Sequence, residues 1–236
     1  MPKNMCIEPQ LITEDLGLTG YADTLALQRS LQQRMIDAKR AGDTVPPGHL
    51  LLVEHLPVIT LGRHARRENV LFSAESLKSR GVEIYDIERG GDVTYHGPGQ
   101  LVAYLVIDLE AYRLGVKKFV DIMEEAVIRT INDFGISGGR VDGATGVWID
   151  TGTARERKIC AIGIKCSRFV TMHGLALNVN TDLDGFRLIN PCGFVDKGVT
   201  SMASELGREI PIVEVKQALD YHLRELLRSQ PLRKGV

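Results

Sequence analysis

A lone cysteine stands in a sharp, polar-flanked turn, Asn190-Pro191-Cys192-Gly193, between an apolar run and a further turn. A thiol attacks as its thiolate, and a free cysteine with a pKa near 8.5 is only a few per cent ionised at neutral pH. Each unit of depression requires about 1.4 kcal/mol of preferential thiolate stabilisation, so a neighbouring cation or base has to supply it. Pro191 fixes the angle at which the chain enters the turn, and Gly193 permits close backbone approach. The N–H groups after the cysteine could serve as oxyanion donors. The competing reading is packing, since most free cysteines fill small apolar gaps, although those usually lie within regular apolar elements.

Lys158 lies 34 residues earlier and opens the apolar run K-I-C-A-I-G-I-K. In an ideal strand Lys158, Cys160, Ile162 and Ile164 share one face, which leaves an amine at the head of an apolar surface where desolvation lowers its pKa. Such an amine could take the thiol proton and later manage the proton of an attacking amine. An exposed lysine at a strand start, beside Arg155 and Arg157, is the plain alternative. A third element is R-G-G-D-V-T-Y-H-G-P-G-Q, residues 89–100, whose four glycines would let main chain lie against a ligand. It fits neither G-x-G-x-x-G nor a P-loop, since no G-K-[ST] follows. Thiol, amine and cradle together point to acyl transfer through a thioester. Cys160 and Cys166 sit in apolar sequence and read as core, and His96 and His173, each preceding a glycine, read as hydrogen-bonding or pocket-wall groups. No ligand set with metal-binding spacing emerges, so neither metal nor cofactor is expected.

The elements that must position these groups alternate between helical and strand patterns. Leu27, Leu31, Met35 and Ala38 predict a helix over 21–42. A turn at Pro46-Pro47-Gly48 leads to a strand at Leu50–Val53, with Pro57–Gly62 expected as its antiparallel partner. Residues 63–70 form a basic loop, either a solvated surface or a site for an acidic partner. Ser73 can cap a short helix ending at Gly81. Strands are predicted at 82–87, 101–109, 146–150, 158–165 and 169–179. The clearest helix is 117–134, with Phe119, Met123, Ala126, Val127, Ile131 and Phe134 on one face. A last helix near 213–229 buries Val215, Leu219, Leu223, Leu226 and Leu227. The chain is expected to divide into a catalytic α/β part, residues 1–188, and a small C-terminal lobe, 189–236, carrying the cysteine turn, the two forming effectively one compact unit.

Four motifs in order, R-G-G-D-V-T-Y-H-G-P-G-Q at 89–100, K-I-C-A-I-G at 158–163, H-G-L-A-L-N at 173–178 and N-P-C-G at 190–193, closely resemble the lipoyl(octanoyl) transferases of lipoate biosynthesis. The likeness runs from about residue 20 to 210. It implies a biotin/lipoate-protein-ligase-like α/β fold, a mixed sheet flanked by helices. It further implies that Cys192 carries an octanoyl thioester and that Lys158 is its catalytic partner. Substrate contacts are implied for Arg89, Gly90, Gly91, Asp92, Val93, Thr94, Tyr95 and His96, for Ala161, Ile162 and Gly163, and for Gly174, Leu175 and Ala176. Asp92 stands where relatives often carry glutamine. The implied donor is octanoyl-acyl-carrier protein, and the implied acceptors are lipoyl domains of 2-oxoacid dehydrogenases and the glycine-cleavage H protein. Two other readings compete with this one. The first is an ATP-dependent lipoate or biotin ligase, which usually shows a paired-arginine, triple-glycine loop where this chain reads E-R-G-G-D. The second is a non-enzymatic acyl-carrier binding module.

Composition narrows the class further. With 236 residues, 44% apolar and 25% charged, the chain can bury a substantial core. A net charge of −1 gives no support for nucleic-acid binding by bulk electrostatics. No apolar stretch nears the roughly 20 residues that span a bilayer, and the N-terminus lacks a signal-peptide core. Four cysteines without C-x-x-C spacing suit reduced thiols, so a cytoplasmic monomer is the expectation.

Overall fold

The computed structural model describes residues 9–190 and 198–229. Cys192, with Pro191 and Gly193, lies outside the described residues. The strands are β1 (Leu11–Thr19), β2 (Gly48–His55), β3 (Val58–Leu61), β4 (Glu83–Asp86), β5 (Val93–His96), β6 (Gln100–Val106), β7 (Gly139–Val141), β8 (Ala144–Ile149), β9 (Arg157–Ser167), β10 (Val170–Asn178) and β11 (Gly198–Val199). The helices are α1 (Tyr21–Ala41), α2 (Ala74–Ser79), α3 (Val116–Asp133), α4 (Met202–Leu206) and α5 (Ile212–Arg228). A mixed sheet runs in the order β1-β2-β6-β10-β9-β8-β7, with β11 added to β9. Only β1–β2 and β11–β9 are parallel pairs within it. A second sheet, β4-β3-β5, lies apart.

Strand alternation decides which helix covers which face. Leu50 and Leu52 of β2, with Leu101, Ala103 and Leu105 of β6, pack under α3 and α5. Leu51 and Val53, with Val102, Tyr104 and Val106, pack under α1. The predicted helical faces are the buried ones: Phe119, Met123, Ala126, Val127 and Ile131 of α3 meet Val215, Leu219, Leu223 and Leu227 of α5 in one core. Gly135, at φ 86, continues the chain beyond α3 in the left-handed region that its lack of a Cβ allows. Ser73 caps α2 as expected, its hydroxyl accepting the Ser76 N–H at 3.3 Å.

Two expectations need correction. Val58–Leu61 does not pair with β2. It is the centre of the second sheet, parallel to β4 and antiparallel to β5. Pro57 has no N–H to give a hairpin ladder, and its carbonyl instead accepts the Glu83 N–H at 3.1 Å, committing the chain to the other sheet. Residues 89–100 are also not one continuous loop, because Val93–His96 forms β5 against β3.

Candidate active site

The face of the main sheet that α1 does not fully cover carries a cavity of about 270 Å³. Its floor is a lattice of three strands. Tyr104, Gly174 and Gly163 are register partners across β6, β10 and β9, and Val102, Ala176 and Ala161 form the next row. Gln100 and Asn178 form the third row, at the end of the cavity that Lys158 also lines. Gly174 and Gly163 in row one, with Val102, Ala176 and Ala161 in row two, leave a trough rather than a packed surface. The roof comes from the 89–92 segment, where the Gly90 N–H bonds the Ile164 carbonyl at 2.9 Å. A Cβ on Gly163 would lie 2.8 Å from the Gly90 oxygen, so glycine there is what lets the roof approach.

Lys158 lines this trough, but not on the face that simple alternation assigns. Val147 pairs with Cys160, whereas Trp148 pairs with Lys158, which makes Ile159 the extra residue of a β-bulge. The bulge sends Cys160 and Ile159 into the α3/α5 core and turns Lys158 away from them. Lys158 Nζ donates to the Thr145 carbonyl at 3.2 Å and sits 4.5 Å from the centre of the Trp148 ring. Its neighbour Arg157 is held by Glu205 at 2.7 Å and Asp150 at 2.6 Å, so this end of β9 is anchored rather than a free basic loop.

Sequence reasoning missed Glu124, a buried carboxylate on α3 whose position the helical pattern alone marks as core. Its Oε1 accepts the Gly146 N–H at 2.9 Å and its Oε2 accepts from Arg140 Nε at 3.0 Å. Gly146 has φ 124 and would set a Cβ 2.5 Å from the Cys160 carbonyl, so the start of β8, which presents Thr145 to Lys158, depends on glycine and on this carboxylate. Glu124→Ala leaves a buried N–H without its acceptor. It is expected to lower unfolding free energy by about 1–3 kcal/mol, read as a shift of the urea midpoint at unchanged m-value.

A hydrogen-bond chain fixes the third row. His96 Nδ1 donates to Gln100 Oε1 at 2.7 Å, and Gln100 Nε2 donates to Asn178 Oδ1 at 2.9 Å. Asn178 Nδ2 then donates to the Thr200 carbonyl at 2.9 Å, and the Thr200 N–H donates to the Lys158 carbonyl at 3.0 Å. At the other end His55 Nδ1 donates to the Thr19 carbonyl at 3.1 Å, so His55 Nε2 accepts the Tyr104 O–H at 2.7 Å. Burial holds all three histidines here neutral. His55 is lowered to about 4, and His96 and His173 to about 3, with the neighbouring His55 further depressing His96 and Arg89 further depressing His173.

The sign of the resulting pH dependence is fixed. The unfolded chain protonates these rings near 6.5 while the folded chain resists until about 4 or 3, so their contribution is complete above pH 7. It is lost as pH falls from 6.5 toward 4 for His55 and toward 3 for His96 and His173, by up to about 1.4 kcal/mol per pH unit for each ring. Thermal unfolding followed across that window should show a falling midpoint, with a shallower slope in His55→Gln. An equal slope in that variant would remove His55 from this account.

Most of the sequence-derived contact residues converge on the trough: Arg89, Gly91, Asp92, Val93, Thr94 and His96 from the roof side, and Ala161, Ile162, Gly163, Gly174, Leu175 and Ala176 from the floor. Gly90 contributes backbone pairing with β9 instead, and Tyr95 packs on Phe186 in the core of the small sheet. Arg89 is tied into the roof through Thr60, whose carbonyl and hydroxyl accept from Nη2 at 2.8 and 3.0 Å. Asp92 holds the basic loop: its carboxylate accepts from Asn69 Nδ2 at 2.6 Å and from the Arg66 N–H at 3.3 Å. Cys160 is fully buried and its thiol is pushed up to about 12, which fits a packing role. Among the described residues no group of three or more His, Cys, Asp or Glu side chains could hold a metal ion. Among them, too, no helix is long and apolar enough to cross a membrane.

This architecture is shared with lipoate and biotin protein ligases. A bi-partite lipoate protein ligase from Thermoplasma acidophilum superposes with a TM-score of 0.66 at 20% identity, covering 98% of this chain and 88% of that one. A biotin protein ligase from Aquifex aeolicus superposes at 0.52 and 13% identity, over 93% of this chain and 70% of that one. Residues 20–224 match the lipoyl protein ligase A/B catalytic domain, and the chain belongs to that family. Within it the sequence goes with relatives named octanoyltransferase. One from Bacteroides fragilis is 48% identical over 93% of this chain and 99% of its own length, and one from Parabacteroides distasonis is 53% identical over 82% and 87%. A Porphyromonas gingivalis octanoyltransferase is 51% identical over 88% of this chain, which spans 42% of that longer protein.

Proposed function

We propose that this chain is an acyltransferase of lipoate biosynthesis that moves an octanoyl group from octanoyl-acyl-carrier protein to the ε-amine of a lipoyl-domain lysine by way of a thioester on Cys192. The observation that carries this reading is the placement of the two flanks of the Cys192 segment. On one side the Asn190 N–H bonds the Asn69 carbonyl at 2.7 Å, and Asn69 is itself held by Asp92 of the cavity roof. On the other side β11 pairs Val199 with Lys158, and both residues line the trough. The described residues on either side of the thiol-bearing segment are thus tied to the cavity lining, one through Asn69 to Asp92 and the other beside Lys158, which supports the reading.

The chemistry divides into two balanced steps. Cys192 loses its proton and its sulfur attacks the donor thioester carbonyl. The tetrahedral oxyanion collapses by breaking the bond to the carrier thiol, which departs with a proton. The acceptor amine then attacks the octanoyl-enzyme, the bond to Cys192 breaks, and the surplus ammonium proton leaves by way of Lys158. Exchanging a thioester for an amide is downhill, so no nucleotide is consumed. Burying the chain along Val102, Ala161 and Ala176, at about 0.8 kcal/mol per methylene, supplies roughly 4–5 kcal/mol of binding.

The exposed Arg63, Arg66 and Arg67 flank Asn69 and would receive the acidic surface of a carrier protein, delivering its thioester beside the cysteine turn. The reading places the reaction in the cytoplasm and in a monomer, with lipoyl domains of 2-oxoacid dehydrogenases and the glycine-cleavage H protein as acceptors. Incubation with octanoyl-acyl-carrier protein alone, without ATP, should add one octanoyl mass that peptide mapping assigns to Cys192. A strict requirement for ATP would favour a ligase. Capture of carrier protein without any covalent product would favour a binding module.

A further inference from the structure

We propose that His173 is the inner end wall of the acyl trough and, with Tyr104, sets the longest chain the enzyme accepts. The inference rests on the acyl-transfer reading and concerns what limits the donor. Along β10, alternation sends Leu175 and Leu177 into the α3/α5 core and Ala176 toward the trough. His173 has the parity of Leu175, yet its ring lies on the trough side, in contact range of Tyr104 with centroids 6.4 Å apart. The cause is a left-handed backbone at φ 64, unusual for a residue with a Cβ inside a strand. Gln28 of α1 holds that conformation by accepting the His173 N–H at 2.8 Å. The ring is buried, and neither of its nitrogens has a hydrogen-bond partner among the described residues. A strained backbone that turns a ring into the cavity at this one position marks a site kept for a ligand rather than for the fold.

The dimensions agree. Rows of the floor are two residues apart, about 6.8 Å at the antiparallel strand rise. From the Gln100–Asn178 row, at the Lys158 end, to the Tyr104–Gly174–Gly163 row is therefore about 13–14 Å. An extended eight-carbon acyl chain measures about 9 Å from its first to its last carbon, given bonds near 1.5 Å. Contact of its terminal methyl with a wall atom adds about 4 Å. An octanoyl carbonyl beside Lys158 thus brings the methyl against Tyr104 and His173, and a longer chain has nowhere to go. The middle row remains passable because it is built of Val102, Ala161 and Ala176.

The test is single-turnover formation of acyl-enzyme, read by intact mass, with thioester donors from butanoyl to dodecanoyl. In wild type the rate should peak at octanoyl. His173→Gly keeps the left-handed conformation accessible and removes the ring, and should raise decanoyl and dodecanoyl relative to octanoyl by ~10-fold or more. Ala176→Leu narrows the middle row and should move the peak to hexanoyl or shorter. If His173→Gly does not fold, His173→Asn, which tolerates the same backbone, serves in its place. An octanoyl donor branched at its penultimate carbon tests wild type directly and should be rejected. An unmoved octanoyl peak in the folded His173 variant, or ready acceptance of the branched donor, overturns the proposal. Absence of any acyl adduct at every length in wild type would instead overturn the transfer reading on which it rests.

Discussion

Cys192→Ser is expected to show no octanoyl adduct after incubation with octanoyl-acyl-carrier protein, and transfer to a lipoyl domain should fall by at least ~10³-fold, the scale typical of losing a covalent nucleophile. Serine keeps the shape of the side chain but ionises far above neutral pH, and an amine poised for a thiol is too weak a base for a hydroxyl. The two cysteines within the described residues cannot substitute: Cys160 is buried in the α3/α5 core, and burial raises the thiol of Cys166 as well. Intact mass on the Cys192→Ser variant decides the matter, since an adduct that survives there moves the nucleophile elsewhere. The variant is expected to unfold at the wild-type midpoint. That separates lost chemistry from lost structure.

The second large effect is expected at Lys158. An ammonium about 4 Å from a thiolate contributes about 4 kcal/mol at an effective dielectric near 20, equivalent to about three units of thiol pKa. Lys158→Ala should therefore slow acylation about 100-fold or more at neutral pH. The loss should shrink as pH rises toward the ordinary thiol range, because hydroxide then does what the lysine did. A packing role for Lys158 would give a loss independent of pH, and an unchanged rate would remove the residue from the mechanism altogether. The local geometry makes this a clean experiment. Nζ is held by the Thr145 carbonyl and the face of Trp148, and neither contact contributes to the α3/α5 core. Lys158→Arg is expected to recover little, since a planar guanidinium cannot accept a proton and does not reproduce a compact ammonium.

Much of the scaffold is legible in the chain because it follows local rules. The helices at 21–41, 116–133 and 212–228 announce themselves by apolar residues at helical spacing, and the caps at Ser73 and Gly135 by side-chain and backbone chemistry that acts within a turn. The reactive turn and the glycine-rich segment are visible for the same reason, since Pro191, Gly193 and the glycines at 90, 91, 97 and 99 constrain backbone regardless of context. The strand Leu11–Thr19 is not visible, because L-I-T-E-D-L-G-L-T lacks clean alternation. It is held from far along the chain, by Lys216 on Asp15 at 2.9 Å and by Asp220 accepting from Thr13 at 2.7 Å.

What the residues determined by themselves is the kind of chemistry available: a thiol in a tight corner, an amine heading an apolar strand, a flexible glycine cradle. Which of these face one another was decided by pairings between distant strands. One inserted residue in the β8–β9 ladder turns Lys158 out of the core, and one left-handed residue in β10 turns His173 into the trough. Both reversals break the two-residue period on which any reading of a strand's faces depends. Their stabilising partners, Glu124 behind Gly146 of β8 and Gln28 under His173, lie 22 and 145 residues away, so no local pattern could have announced them.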